Sequence, residues 1–192
     1  MIKFLFITIV TFAAMIANAH NIPNFKQVHK EVFRGGRPSV QDLRDLKKLG
    51  IKTILNLEND TKAVMAETDV AKALNFNYIS VPTASFFRPS DENVDRILEI
   101  LNNPNNYPIF IHCTHGRDRT GLMVGLYRVE ADSWDPKVAY QEMIDLGFRK
   151  VLFALKGYYK ERTGMKFKSE EQIVRTAGID SSFISRAGSE AF

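Results

Sequence analysis

The stretch PIFIHCTHGRDRTG, residues 108–121, decides the fold of this chain. Its first five residues form a short apolar run, which is typical of a buried strand in a parallel sheet. Residues 113–120 are polar and predict a loop, and a helix is expected from there to about Ala131. Backbone N–H groups of a loop at a helix N-terminus bind anions, so this stretch predicts an anion-binding loop between a strand and a helix.

Strand and helix patterns alternate on both sides of this stretch. Further strands are predicted at residues 32–33, 51–57 and 77–81, and helices at 40–49, 61–74, 90–101, 136–147 and 152–159. Ser39 is expected to cap the first helix and Gly50 to end it. This order predicts an α/β fold in which a central, mostly parallel sheet is flanked by helices.

Composition narrows the possible classes of protein. The 192 residues contain a single cysteine, which excludes an intrachain disulfide framework and a cysteine-rich zinc site. The net charge is +4, from 26 Lys and Arg against 22 Asp and Glu. This mild excess permits an anionic partner without requiring nucleic acid.

Residues 1–19 have the pattern of a secretory signal peptide. Lys3 precedes an uncharged apolar run at residues 4–16, and residues 17–19 read Ala-Asn-Ala. The run is shorter than the roughly 20 residues of a membrane span, so no stable membrane insertion is expected after cleavage. We therefore expect an exported protein, periplasmic or secreted, with an extension at 20–30, a domain at 31–165 and a polar tail at 166–192.

The residue types in the loop suit phosphate chemistry. The helix N-terminus and Arg119 favour the thiolate form of Cys113, which is a nucleophile suited to in-line attack on phosphorus. The planar fork of Arg119 can hold two phosphate oxygens. Gly116 permits a tight turn, and the Thr120 hydroxyl is expected to donate to the Cys113 sulfur.

These residues resemble the phosphate loop of the cysteine-dependent phosphatases, the tyrosine and dual-specificity phosphatase superfamily. HCTHGRDRTG is similar to their motif HCx5R followed by Ser or Thr. VFRGGRP (32–38), LKKLGIKTILNL (46–57) and WDPKVAYQEMIDLGF (134–148) also resemble small dual-specificity-like phosphatases, so the resemblance covers roughly residues 31–159. It implies a phosphocysteine intermediate on Cys113, phosphate binding by Arg119, a thiolate-tuning role for His112, and neither a metal nor a cofactor.

The resemblance also bears on the substrate. Residues 114–117 (Thr, His, Gly and Arg) are expected to bind phosphate together with Arg119. His115 and Arg117 make the loop unusually basic, as in phosphatases of inositol polyphosphates, so we expect such a small molecule or a phosphopeptide as substrate. Three further cations are expected to line the mouth of the site: Arg34, Arg37 and Arg88. Lys150 and Lys156 are less securely placed there. The loop is also similar to that of RNA 5′-triphosphatases, which we disfavour for an exported protein.

The sequence departs from the family pattern at the general acid. The family's aspartate would fall at Ser85, which is a poor acid. Two aspartates could replace it: Asp118 in the phosphate loop and Asp91 beyond Ser85. Each also has a purely structural explanation. Asp118 could hydrogen-bond to the loop or to an arginine, and Asp91 could stabilise the start of a helix electrostatically. Two alternatives to the phosphatase hypothesis stay open, a phosphate-binding module with low turnover and a sulfurtransferase of the rhodanese type.

Overall fold

The computed structural model describes residues 21–166 of the chain. Its strands are β1 (Lys26–His29), β2 (Val32–Gly35), β3 (Thr53–Asn56), β4 (Asn77–Ser80) and β5 (Ile109–His112). Its helices are α1 (Val40–Lys48), α2 (Thr61–Ala73), α3 (Asp91–Asn102), α4 (Asp118–Glu130), α5 (Pro136–Asp145) and α6 (Phe153–Thr163). The predicted signal segment and, apart from Lys166, the predicted tail lie outside these residues. Between residues 21 and 166 no helix has the length and apolar character required to cross a membrane.

The strands form one sheet in the order β1-β2-β5-β3-β4. Only β1 is antiparallel to its neighbour, which confirms the predicted mostly parallel sheet. Gly35 and Asn56, at the ends of β2 and β3, both lie opposite His112 at the end of β5. The loops that follow these strands therefore meet at one edge of the sheet, where ligands of parallel sheets bind.

Helices pack on both faces of the sheet, as predicted. On one face Ile54 and Phe110 pack with buried residues of α1 and α2. On the other face Ile109 and Ile111 pack with α3, α4, α5 and α6. All four strand residues are fully buried. Burial of each such side chain stabilises the fold by about 1.5–3 kcal/mol, so the central strand β5 is firmly held from both sides.

The first helix begins and ends as the sequence predicts. The Ser39 side chain accepts a hydrogen bond from Asp42 N–H, and the Asp42 side chain accepts one from Ser39 N–H. Gly50 has a φ of +92°, which ends α1. The last helix differs from the prediction, since α6 continues past Tyr159 and ends before Gly164, which has a φ of +66°.

Strand β1 was not predicted. It lies in the segment 20–30 that the sequence analysis placed before the domain, and it pairs with β2 at the edge of the sheet. Its sequence, KQVH, has one apolar residue, Val28, which is also its only buried residue. An edge strand with a single buried side chain shows no alternating pattern, which is why the sequence analysis missed it.

The boundary between the anion-binding loop and the next helix also differs from the prediction. We expected a loop through Thr120, but α4 begins at Asp118. The N–H of Gly121 already donates to the carbonyl of Arg117 at 2.9 Å. Arg119 and Thr120 therefore stand in the first turn of the helix, which restricts the directions of their side chains.

Candidate active site

The loop at residues 113–117 is fixed by the N-terminal part of the chain. Three of its carbonyl oxygens accept hydrogen bonds: Thr114 from the N–H of Arg37 at 3.2 Å, His115 from Asn24 Nδ2 at 2.9 Å, and Gly116 from Arg34 Nη2 at 2.6 Å. Gly116 has a φ of +68°, in the left-handed region that favours glycine. Protein atoms therefore hold the loop in place without any ligand.

Arg34 lies beneath the loop and not at the mouth of the site, so the prediction for this residue is wrong. Only 1% of its surface is exposed. Burial lowers the pKa of its guanidinium to about 10, although the charges of Glu142 and Cys113 act in the opposite direction. Arg34 therefore stays charged at neutral pH, and its role is to hold the Gly116 carbonyl from inside the protein.

A cavity of about 230 Å³ opens above the loop. Its lining consists of Ser85, Phe86, Cys113, Thr114, His115, Asp118, Arg119 and Arg149. Cys113 is only 2% exposed and is the single cysteine of the chain. Two arginines and a histidine face one carboxylate in this lining, so the cavity suits an anion.

Arg119 is held in a fixed position by oxygen atoms from three neighbouring loops. Its Nη1 donates to the carbonyls of Leu57 and Thr83, at 3.2 and 3.4 Å, and to Asn59 Oδ1 at 3.2 Å. Its Nη2 donates to Thr114 Oγ1 at 3.0 Å. The guanidinium is therefore oriented before any ligand arrives, which reduces the entropy lost on anion binding.

Four other predicted site residues do not line the cavity. His112 is fully buried behind the loop, and its Nε2 lies 2.8 Å from Glu67 Oε1. Gly116 acts through its backbone conformation, and Arg117 packs against Gly147. The Thr120 hydroxyl is buried and hydrogen-bonds to no atom of the described chain, so the predicted bond to the Cys113 sulfur does not form.

The two candidate general acids have different surroundings. Asp118 lines the cavity, and its carboxylate accepts hydrogen bonds from the N–H and Nε of Arg149, at 3.0 and 3.1 Å. Asp91 begins α3 and accepts a hydrogen bond from the Tyr158 hydroxyl at 2.7 Å, outside the cavity lining. Only Asp118 is therefore near Cys113, and it carries the arginine contact that the sequence analysis gave as the structural alternative.

The other predicted cations also lie outside the cavity, which contradicts the expectation that they line its mouth. Arg37 pairs with Glu58, and Arg88 pairs with Glu161 at 2.6 Å. Lys150 and Lys156 line a separate cavity between α5 and α6. Arg37 and Arg88 each have a carboxylate partner that is close in space but distant in sequence, so the sequence did not reveal it.

Three residues of the site, Arg149, Glu58 and Asn59, were not predicted from the sequence. Arg149 follows the helix-ending Gly147 and reaches Asp118 across 31 positions of sequence, so no spacing rule connects the two residues. Glu58 and Asn59 follow the buried strand β3. Their position after a parallel strand was the available signal, because such ends point to the ligand-binding edge.

Glu58, Glu67 and His112 form a buried cluster behind the loop, and one donor atom from each lies within 4.8 Å of the others. That spacing suits a metal ion, but the donors already have protein partners. Glu58 accepts hydrogen bonds from Arg37 and Thr114, and Glu67 bonds His112. Each of the three side chains thus has a hydrogen-bond partner within the protein.

Hydrogen bonds and nearby charges lower the pKa of two carboxyls, the buried Glu58 and the partly buried Glu142. Burial is the largest single influence and raises both pKa values, but the lowering influences together outweigh it. They come chiefly from Arg37 and Thr114 for Glu58, and from Arg128 and Lys26 for Glu142. Both values end below the usual 4.5. The unfolded chain therefore binds more protons than the folded chain just below this pH, so the stability of the fold falls with acid.

We predict that the melting temperature changes little down to about pH 5.5 and falls steeply below about pH 4.5. Thermal melts across this range would measure the fall. In Glu142→Gln the fall should be smaller, because a carboxyl with a lowered pKa is gone. A fall of the same size in this variant and the original chain would contradict the assignment.

The proteins that are similar to this chain in sequence are phosphatases. The profile of a family described as DSP-PTPase phosphatase fused to NAD+ kinase matches residues 14–154. The dual specificity protein phosphatase TpbA of Pseudomonas aeruginosa is 29% identical over 127 residues, which are 65% of this chain and 55% of TpbA. Inositol diphosphatase DSP5 of Arabidopsis thaliana is 30% identical over 117 residues, 58% of this chain and 56% of DSP5. The chain spans about half the length of these curated relatives.

A solved structure shows the same fold. The core catalytic domain of the PP-IP phosphatase SIW14 from S. cerevisiae, crystallised with citrate, superposes with a TM-score of 0.62 at 22% identity. The superposition covers 82% of this chain and 93% of that domain. The arrangement of sheet, loop and helices described above is therefore that of a known phosphatase fold.

Proposed function

The chain belongs to the DSP-PTPase phosphatase family, and from this membership we propose that it hydrolyses phosphate monoesters through a phosphocysteine formed on Cys113. One observation carries the proposal. Cys113, Arg119 and the N-terminus of α4 meet in a single cavity at the ligand-binding edge of the sheet.

The proposed reaction has two steps. The Cys113 thiolate attacks phosphorus and the leaving group departs with a proton; water then attacks the phosphocysteine and releases inorganic phosphate. Arg119 and the unpaired N–H groups in the first turn of α4 hold the equatorial oxygens, which carry more charge in the transition state. Because Arg119 is already oriented by four oxygen atoms, little reorganisation is needed at that moment.

We propose an inositol polyphosphate or a phosphotyrosine-type peptide as substrate. His115 and Arg149 add positive character to the cavity beyond Arg119, which favours a substrate with more than one phosphate. Phe86, which is 65% exposed at the same cavity, favours an aromatic substrate. A panel of phytate, lower inositol phosphates, phosphotyrosine peptides and phosphoserine peptides, compared by kcat/KM, separates the two classes.

Asp118 is the general acid in this proposal, and we predict a substrate-dependent loss in Asp118→Asn. With an alkyl phosphate, whose leaving group needs a proton, kcat/KM should fall by about 10²-fold or more. With an activated aryl phosphate the loss should be much smaller. Asp91→Asn is the matched control, because Asp91 lies outside the cavity. Equal losses on both substrates, or a larger loss in Asp91→Asn, would exclude Asp118 as the acid.

A phosphate-binding module with low turnover is the second candidate function. Ser85 occupies the position where the family's acid is expected, and Asp118 is bonded to Arg149 in the cavity. If this candidate is correct, inositol phosphates bind tightly while their hydrolysis stays negligible. Sustained turnover of an alkyl phosphate would exclude it.

We also propose that the protein is exported. Support comes from the N-terminal pattern at residues 1–19, which combines a lysine, an apolar run and a small-residue site. Expression of the full chain, followed by cell fractionation and N-terminal sequencing, tests this proposal. A mature chain that begins at His20 outside the cytoplasm is expected, and an uncleaved chain in the cytoplasm would contradict it.

A further inference from the structure

Glu58 is a buried carboxylate at the centre of the hydrogen bonds behind the loop. Only 1% of its surface is exposed. Its Oε1 accepts from Arg37 Nε at 2.7 Å, and its Oε2 accepts from Arg37 Nη2 and from Thr114 Oγ1, the latter at 2.8 Å. Its own N–H donates to Asn56 Oδ1 at 2.6 Å. Backbone and side chain of Glu58 are thus both fixed.

The direction of each hydrogen bond in this network follows from the groups involved. A carboxylate only accepts and a guanidinium only donates, whereas a hydroxyl has one proton to donate. Thr114 must therefore give its proton to Glu58, which leaves its oxygen to accept from Arg119 Nη2 at 3.0 Å. Glu58 thus accepts the one proton of this hydroxyl, which directs the lone pairs of its oxygen to Arg119.

The residues on either side of Glu58 hold the other nitrogen of the same guanidinium. The Leu57 carbonyl and Asn59 Oδ1 both accept from Arg119 Nη1 at 3.2 Å. Residues 57–59 therefore contact Arg119 at both terminal nitrogens, directly at Nη1 and through Thr114 at Nη2. His112 Nδ1, which is buried without a hydrogen-bond partner among the described residues, lies 4.0 Å from Glu58 Oε1 on the other side.

We propose that Glu58 is a positioning residue that acts through Thr114 to orient Arg119 for phosphate binding. This inference rests on the proposed phosphatase function and adds a residue to it. Glu58 itself does not line the cavity, so it would act on a bound substrate only through Thr114 and Arg119. Glu58 therefore affects how Arg119 binds the phosphate oxygens and does not act on the nucleophile Cys113.

The test compares Glu58→Met, which has a similar length but no acceptor oxygen, with Thr114→Val and the double variant. Thr114→Val removes the link to Arg119 while the buried carboxylate stays in place. In each single variant kcat/KM for an aryl phosphate should fall about tenfold, and inhibition by vanadate should weaken by a similar factor. Because both residues act along one path, the double variant should lose little more than either single variant.

Two controls separate positioning from general damage to the fold. Glu130→Met makes the same replacement in another arginine–carboxylate pair with two hydrogen bonds, at the far end of α4. Its kcat/KM should match that of the original chain. Thr114→Ser keeps the hydroxyl and should lie closer to the original chain than Thr114→Val does. Alkylation of Cys113 by iodoacetamide involves no oxyanion for Arg119 to bind, so it should be affected less than vanadate binding.

The outcomes distinguish this inference from the function on which it rests. If the original chain hydrolyses the aryl phosphate and Glu58→Met keeps full kcat/KM and vanadate affinity, the positioning role is wrong and the phosphatase proposal stands. Multiplicative losses in the double variant would also overturn the role. If the original chain shows no turnover that depends on Cys113, the proposed function itself fails.

Discussion

Replacement of Cys113 by serine is expected to lower kcat by at least about 10⁴-fold. Cys113 is the single cysteine of the chain and lies at the base of the cavity, so no second thiol can replace it. A serine hydroxyl is not ionised at neutral pH, so it is a much weaker nucleophile than a thiolate. Release of inorganic phosphate from an activated aryl phosphate measures the loss.

The same variant should keep its ability to bind anions. Arg119, Arg149 and the loop backbone are unchanged, so vanadate or inorganic phosphate should still raise the melting temperature of Cys113→Ser. This control separates a lost nucleophile from a collapsed site. Turnover near the original rate in Cys113→Ser would mean that the cysteine does not form the intermediate.

Gly116→Ala is expected to have the largest effect of any substitution that adds a single carbon. A Cβ at this position would lie 2.4 Å from the backbone carbon of Gly35 and 2.5 Å from the nitrogen of Gly36. The φ of +68° adds a cost of roughly 1–2 kcal/mol for a residue with a side chain. Backbone atoms cannot rotate away, so the loop must shift. We predict a loss of about 3 kcal/mol in unfolding free energy and of at least about 10²-fold in kcat/KM.

Gly157→Ala is the matched control for this prediction. Gly157 lies within α6, and a Cβ there would meet no atom within 4 Å. Alanine in a helix interior is more favourable than glycine by roughly 0.5–1 kcal/mol, so this variant should be slightly more stable and fully active. Gly116→Ala with an unchanged melting temperature and kcat/KM would show that the loop does not need its left-handed turn.

The anion-binding loop and the fold class were predictable because their signals are local. An apolar run before a polar loop, a cap at Ser39 and a glycine at Gly50 each act over a few residues, and the structure confirms them. The order of strands and helices then limits the architecture, since parallel strands need helical crossovers. These features do not depend on contacts between distant parts of the chain.

The partners of the charged residues were not predictable in the same way. Arg34, Arg37 and Arg88 were expected together at the mouth of the site, but each is engaged elsewhere, by Gly116, Glu58 and Glu161. These contacts join residues 21 to 82 positions apart. Composition can show that a chain has basic residues, but only the folded structure shows which of them remain available to a substrate.

The identity of the general acid depends on both the sequence and the structure. The sequence identified Ser85 as a departure from the family pattern and offered Asp118 and Asp91 as substitutes. The structure brings Asp118 into the cavity and leaves Asp91 outside it, but it also pairs Asp118 with Arg149. A substrate phosphate that draws Arg149 toward itself would release Asp118, which is why the loss in Asp118→Asn should depend on the leaving group.

The central claim is that Cys113 carries the phosphoryl group during turnover. Rapid acid quenching during hydrolysis of an aryl phosphate, followed by peptide mass spectrometry, tests this claim most directly. We predict that the peptide containing Cys113 gains the mass of one phosphoryl group. The corresponding peptide of Cys113→Ser should show no such gain. Turnover at the full rate with no phosphoryl group on this peptide, or with the group on another residue, would contradict the account.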